Sequence, residues 1–165
     1  MMLARGEPGF EEARVDRVFN RRLTDRQPAA VVRPTTEAEV VEAVRLARER
    51  GWQVAVRSGG HSWAQWSVRS DALVIDLGAL RELSYDDTTG IVTASPAVQG
   101  GAELAPYLAE RGRFFPGGHC PTVGIGGFLL QGGQGWNCRG AGSRRCRRSG
   151  SARRRRSGRV RRGTG

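Results

Sequence analysis

The hexapeptide Arg57-Ser58-Gly59-Gly60-His61-Ser62 constrains this chain more than any other stretch. It follows Trp52-Gln53-Val54-Ala55-Val56, which reads as a strand, so the chain leaves a sheet and turns at two adjacent glycines. With no Cβ there, the backbone can approach a ligand closely and aim several N–H groups at one point, an arrangement suited to a diphosphate. A second glycine-rich stretch answers it: Gly117-Gly118-His119-Cys120 and the run on to Gly135, with eight glycines between Phe114 and Gly135. The two histidines of the chain, His61 and His119, fall one in each stretch. Two glycine loops, each carrying a reactive side chain, suggest one cofactor gripped from two sides.

The rest of the chain supplies a scaffold for such loops. Gly9 to Asn20 carries Phe10, Ala13, Val15, Val18 and Phe19 among charges, an amphipathic helix pattern. Ala29 to Arg33 is a short strand closed by Pro34. Thr36-Glu37-Ala38-Glu39 is a capping box, and the helix it opens sets Val40, Ala43, Val44 and Ala47 on one face before Gly51 ends it. Ala72 to Leu77 is nearly continuous in apolar residues, as a strand buried on both faces is. A turn at Asp86 to Gly90 precedes a strand at Ile91 to Ala94. A helix follows from about Leu104 to Arg111, with Pro106 tolerated in its first turn and Gly112 at its end. Alternating strands and helices of this length indicate an α/β or α+β domain. From Phe114 to Gly135 few side chains are available to pack, which makes the backbone itself the expected functional surface.

Composition matters chiefly for what it excludes. The 165 residues carry a net charge of +11, and every one of the 27 basic residues is arginine. Twelve of those arginines lie between Cys138 and Gly165, where there is no Asp or Glu; the remainder, 15 arginines against 16 acids, is near neutral. Cys120, Cys138 and Cys146 are odd in number and irregular in spacing, which excludes a zinc site and a disulfide framework, and no metal is expected. The first 22 residues have no apolar signal-like core, and no apolar run approaches the roughly 20 residues needed to cross a bilayer. A cytoplasmic protein with no membrane partner is the expectation.

Taken singly, each loop has a bland reading. Gly59-Gly60-His61 can be an ordinary tight turn, and Cys120 a small buried thiol. A Rossmann fingerprint is excluded, because Ser62-Trp63-Ala64-Gln65-Trp66 opens no helix and no ribose-binding acid stands about 20 residues on. Against the buried-thiol reading stand His119 and the surrounding N–H donors, which favour a thiolate at Cys120. His119 itself either tunes Cys120 or is a plain loop residue.

In order along the chain, several further segments join these loops: Pro34-Thr35-Thr36, Val74-Ile75-Asp76-Leu77, Cys120-Pro121-Thr122-Val123-Gly124-Ile125-Gly126-Gly127 and Gln131-Gly132-Gly133-Gln134-Gly135-Trp136. From about Arg26 to Gly140 the sequence resembles the N-terminal half of the flavin domain of the berberine-bridge-enzyme-like oxidases. These belong to the larger superfamily of vanillyl-alcohol oxidase and p-cresol methylhydroxylase (PCMH). The resemblance implies an α+β fold, the first part of a two-subdomain PCMH-type domain with FAD between the subdomains. It implies that Arg57, Ser58, Gly59, Gly60, His61 and Ser62 hold the diphosphate. Pro116, Gly117, Gly118, Cys120, Val123, Gly124, Gly126, Gly127 and Gly132 would run along the flavin, the last four glycines as close-approach positions. It further implies attachment of the flavin through its 8α-methyl carbon to His61 and through C6 to Cys120, a neutral imidazole nitrogen and a thiolate being able to add to an electron-poor ring. The implied chemistry is hydride transfer from an alcohol, sugar or amine-bearing small molecule to flavin N5, with O2 or another acceptor taking the electrons.

Three regions are thus expected: an N-terminal helical arm at 1–25, an incomplete FAD-binding domain at 26–140 and an arginine-rich tail at 141–165. Family members continue into a substrate domain that supplies the pocket and usually the catalytic base, so no catalytic residue is assigned and this chain is expected to be truncated and inactive. From Ser143 on, Val160 is the one apolar residue larger than alanine apart from Cys146, too little to offset ordering entropy, so the tail is expected to be disordered. It reads either as a basic arm, making the rival function nucleic-acid binding, or as out-of-frame translation of GC-rich DNA. The sudden loss of apolar periodicity and of acids favours the second.

Overall fold

A computed structural model of the chain describes residues 1–135. The expectations for Trp136 and for the arginine-rich tail lie outside the described residues.

Ten elements follow in order: β1 (Met2–Ala4), α1 (Phe10–Val15), β2 (Ala30–Val32), α2 (Glu37–Glu49), β3 (Gln53–Arg57), β4 (Ala72–Asp76), β5 (Leu83–Asp86), β6 (Ile91–Ala94), α3 (Ala105–Ala109) and α4 (Ile125–Leu130). The first six strands and helices make one layered unit. Its sheet has the order β1-β2-β4-β3, with β4 parallel to both β2 and β3 and β1 antiparallel to β2. β4 is the centre: all five of its residues are buried, which is why Ala72 to Ile75 show no polar alternation. Phe10 and Ala13 of α1 cover one face with Val31, Ala55, Ala72 and Val74; Ala43 and Ala47 of α2 cover the other with Ala30, Leu73 and Ile75.

α2 begins where its capping box predicts. The Thr36 hydroxyl accepts from the Glu39 N–H at 3.2 Å, and the Glu39 carboxylate reaches back to Thr35, taking its N–H at 2.6 Å. Those bonds, the Thr35 N–H first, hold the Glu39 carboxyl below its ordinary range. The buried face differs from the expected one by a small rotation: Ala43 and Ala47 are buried and Leu46 is half-buried, whereas Val44 is exposed. Val54 and Val56, on the α2 side of the edge strand β3, are also exposed.

The N-terminal residues do not stand apart as an arm. β1 pairs with β2 in the sheet, and the expected helix over Gly9 to Asn20 stops at Val15. Arg17 to Asn20 instead run along the loop that leaves β3, with Val18 buried and the Phe19 N–H donating to the Gly60 carbonyl at 3.2 Å.

The second unit is smaller. β5, which the sequence reading left out, pairs antiparallel with β6 through the turn at Asp87–Gly90. A π-helical turn, Gly100–Leu104, leads into α3 with Pro106 in its first turn. The glycine run also holds a helix that sequence reasoning missed, α4, whose Ile125 and Leu129 join Val98, Leu104 and Leu108 in the second core.

Where β3 and β4 end together, a charged junction is sealed inside. Arg57 and Asp76 are both fully buried, 2.9 Å apart, and the Arg57 guanidinium also donates to the carbonyls of Ala13 and Arg14 at 2.6 and 2.7 Å. Arg17 pairs with the other oxygen of Asp76, and Arg33 approaches it at 3.5 Å. Removing one partner of such a buried pair leaves the other uncompensated, so Asp76→Asn is expected to destabilise the fold by about 3–5 kcal/mol. Arg45→Ala, which breaks only the exposed pair with Glu42, should cost under about 0.5 kcal/mol. Urea unfolding of the two variants beside the parent checks both values.

Candidate functional site

The loop after β3 and the glycine-rich segment before α4 meet backbone to backbone. A Cβ on Gly59 would stand 2.4 Å from the Gly124 nitrogen, and a Cβ on Gly124 would stand 2.7 Å from the Gly59 nitrogen. Neither position admits a side chain, because what blocks it is main chain that cannot swing away. The stretch Ser95 to Gly100 locks the contact from below. Pro96 presents its carbonyl to the Ser58 hydroxyl at 2.5 Å and to the Gly126 N–H at 2.9 Å, while the Gly100 N–H donates to the Val123 carbonyl at 2.9 Å. Gly60 is fixed differently, by a φ of +72° and by the Arg17 carbonyl, 1.7 Å from where its Cβ would be.

This junction carries the reactive side chains. His61 Nε2 lies 2.9 Å from the Thr122 hydroxyl, so a residue of the first loop touches the second two positions after Cys120. The imidazole stacks on Phe19, with ring centroids 4.6 Å apart and planes 13° from parallel. Its partial burial lowers the His61 pKa from the ordinary 6.5 and favours the neutral ring. Cys120 is an exposed free thiol. The N–H groups of Gly59, Gly60, His61 and Ser62 donate to no acceptor among the described residues. Four successive donors on this half-buried loop are thus left for an acceptor from outside it.

Several residues expected at a ligand have work inside the chain instead. The Arg57 guanidinium is engaged by Asp76 and two carbonyls of α1, and the strand turns this side chain inward. Ser62 accepts the Trp66 N–H at 3.2 Å. Gly124 and Gly126 are small because Gly59 and Pro96 press on them, and Gly132 adopts a φ of +71° to end α4. Gly127 faces open space. Pro116 and Gly117 lie against Gly135, and Gly118 against Phe128. Arg17, Phe19 and Thr122 are site residues that the sequence reading missed.

Residues 28–147 match the family described as FAD binding domain. The chain belongs to the FAD-binding domain family. Among curated proteins this FAD-binding chain is 47% identical over 135 residues to the FAD-linked oxidoreductase janO of Penicillium janthinellum, covering 82% of the chain and 30% of that protein. It is 37% identical over 127 residues to the xylooligosaccharide oxidase of Thermothelomyces thermophilus, covering 75% of the chain and 25% of that enzyme. Among solved structures, BBE-like 1 of Physcomitrella patens superposes with a TM-score of 0.74 at 32% identity, over 84% of the chain and 30% of its own. The family is one of FAD-dependent oxidoreductases, and the fold is that of the BBE-like FAD-binding domains. The chain spans about 30% of the length of its FAD-linked oxidoreductase relatives from Penicillium.

FAD suits the residues present, since its diphosphate needs the kind of unpaired N–H nest that the Gly59–Ser62 turn provides. Two tests of the site need no cofactor. Gly59→Ala and Gly124→Ala should each destabilise by about 3 kcal/mol through main-chain overlap. Gly127→Ala, in a helix and facing open space, should instead stabilise by about 0.5–1 kcal/mol, all three read from thermal or urea unfolding. The second test is pH. With the folded pKa of His61 lowered, the unfolded chain binds the proton first, so the His61 contribution to stability is full above about pH 6.5 and lost as pH falls below it. Between about pH 7.5 and pH 5 the parent should therefore lose more stability than His61→Gln, in paired urea titrations.

Proposed function

We propose that this chain is the cofactor-holding part of an FAD-dependent oxidoreductase acting on an alcohol, sugar or amine-bearing small molecule. The observation that carries the reading is the joining of the two glycine loops at Gly59 and Gly124, which puts an N–H nest and His61 beside the segment that bears Cys120. The N–H groups of Gly59 to Ser62 hold the diphosphate, and the segment from Pro116 to Gly127 lines the flavin. His61 and Cys120 are the residues of covalent attachment. Nε2 of His61 is engaged by Thr122, which leaves Nδ1 as the attaching nitrogen. The neutral imidazole favoured by burial is the form able to bond to carbon.

When bound, FAD supplies a hydride acceptor at flavin N5 and passes the electrons to O2 or another acceptor. The chain's own contribution is to grip the diphosphate, fix the ring between two loops and keep His61 neutral. A sugar is supported as substrate class by the relative named for xylooligosaccharide oxidation. The names of the relatives are those of redox enzymes and lend no support to the nucleic-acid alternative.

The test is whether yellow colour stays with the polypeptide through denaturation and washing after exposure to FAD. His61→Ala combined with Cys120→Ala should abolish retained flavin, while either single variant keeps part of it. A folded parent that stays colourless would sink the attachment reading.

A further inference from the structure

We propose that Arg17 and Phe19 are positioning residues that clamp the Ser58–His61 loop and set the plane of the His61 imidazole. The family match begins at residue 28, so this strap lies outside it. Five contacts converge within three residues. The Arg17 guanidinium donates to the Ser58 carbonyl at 2.6 Å and pairs with buried Asp76. The Arg17 carbonyl fills the space beside Gly60 that any side chain there would need. The Phe19 N–H takes the Gly60 carbonyl at 3.2 Å, and its ring lies flat on His61. Between them Val18 is buried and pins the strap to the core.

The contacts divide the labour. Arg17 ties the entrance of the loop to the same carboxylate that Arg57 neutralises, so the loop is referenced to the ends of β3 and β4. The Phe19 ring acts on the imidazole. One face of the ring is covered by Phe19, which is held in turn by an edge-on contact with Trp63 at 5.1 Å, and Nε2 is held by Thr122. A ring so held has its plane and its remaining nitrogen fixed before any ligand arrives, which is pre-organisation of an attachment residue. The consequence for flavin rests on the attachment reading above; the clamp itself does not.

The test uses the full chain, in which His61 and His119 are the only histidines. Ring-labelled histidine gives two sets of NMR signals, assigned by His61→Gln. A phenyl ring stacked on an imidazole moves its carbon-bound protons upfield. The parent should show that shift for His61 relative to the denatured chain. Phe19→Leu, which keeps apolar bulk, should lose it, and Phe19→Tyr should keep it. After exposure to FAD, flavin retained through denaturation should fall several-fold in Phe19→Leu and recover in Phe19→Tyr, with flavin bound before denaturation little changed.

An unshifted His61 in the folded parent overturns the clamp without any variant, so the proposal stands or falls even where Phe19→Leu does not fold. A shift lost in Phe19→Leu with retained flavin unchanged overturns the positioning role. Retained flavin that is indifferent to His61→Gln sinks the attachment reading instead, and the upfield shift and its loss then decide the clamp on their own.

Discussion

Everything in the first unit leans on the buried pair Arg57–Asp76. β4 is covered on both faces, so a carboxylate at its end has no water to turn to and must be met by cations. Arg57 comes from the neighbouring strand in register with Asp76, and it brings more than charge. Its guanidinium caps the carbonyls of Ala13 and Arg14 at the end of α1, groups that a six-residue helix cannot satisfy by itself. So short a helix has little stability of its own, and a buried cation at its carbonyl end helps to hold it on the sheet. One ion pair thereby fixes the ends of two strands, one helix and the point at which the cofactor loop departs.

That departure point explains why the glycines look as they do. A pattern of glycines beside a strand invites the reading that each one touches a ligand. Here Gly59, Gly124 and Gly126 are small because the chain meets itself, and Gly60 because the Arg17 carbonyl occupies the neighbouring space. Two main chains this close leave no room for side chains over the turn, and the N–H groups of Gly59 to Ser62 stay uncovered.

What was legible in the sequence follows the same division. β4 and α2 were plain, because burial on two faces and a capping box each write a local pattern. The two loops were found, since glycine pairs next to His61 and Cys120 are unusual on chemical grounds. α4 was not found: Gly126 and Gly127 lie in its first turn, and local propensity argues against a helix that packing of Ile125 and Leu129 sustains. Val44 was assigned to the buried face because helical periodicity cannot resolve the small rotation that buries Leu46 instead. The bond from Arg57 to Asp76, nineteen residues on and across the sheet, was not legible, because nothing local points to it. Long-range polar pairing leaves no periodic trace.

The site also sits where the sheet topology puts it. β2, β3 and β4 run parallel, and the Ser58–His61 loop leaves the carboxyl end of β3, the end at which open parallel sheets collect their ligands. The loop there is held on three sides, by Arg17 and Phe19, by Pro96 and by Gly124, and its remaining side is a row of unpaired donors. Half-buried donors without acceptors are unfavourable in the fold taken alone. An anion bound there would remove that penalty and act only on the folded chain. The tighter the clamp holds the turn, the less of the binding energy goes into ordering it. Arg17 carries that restraint back to the buried carboxylate of Asp76.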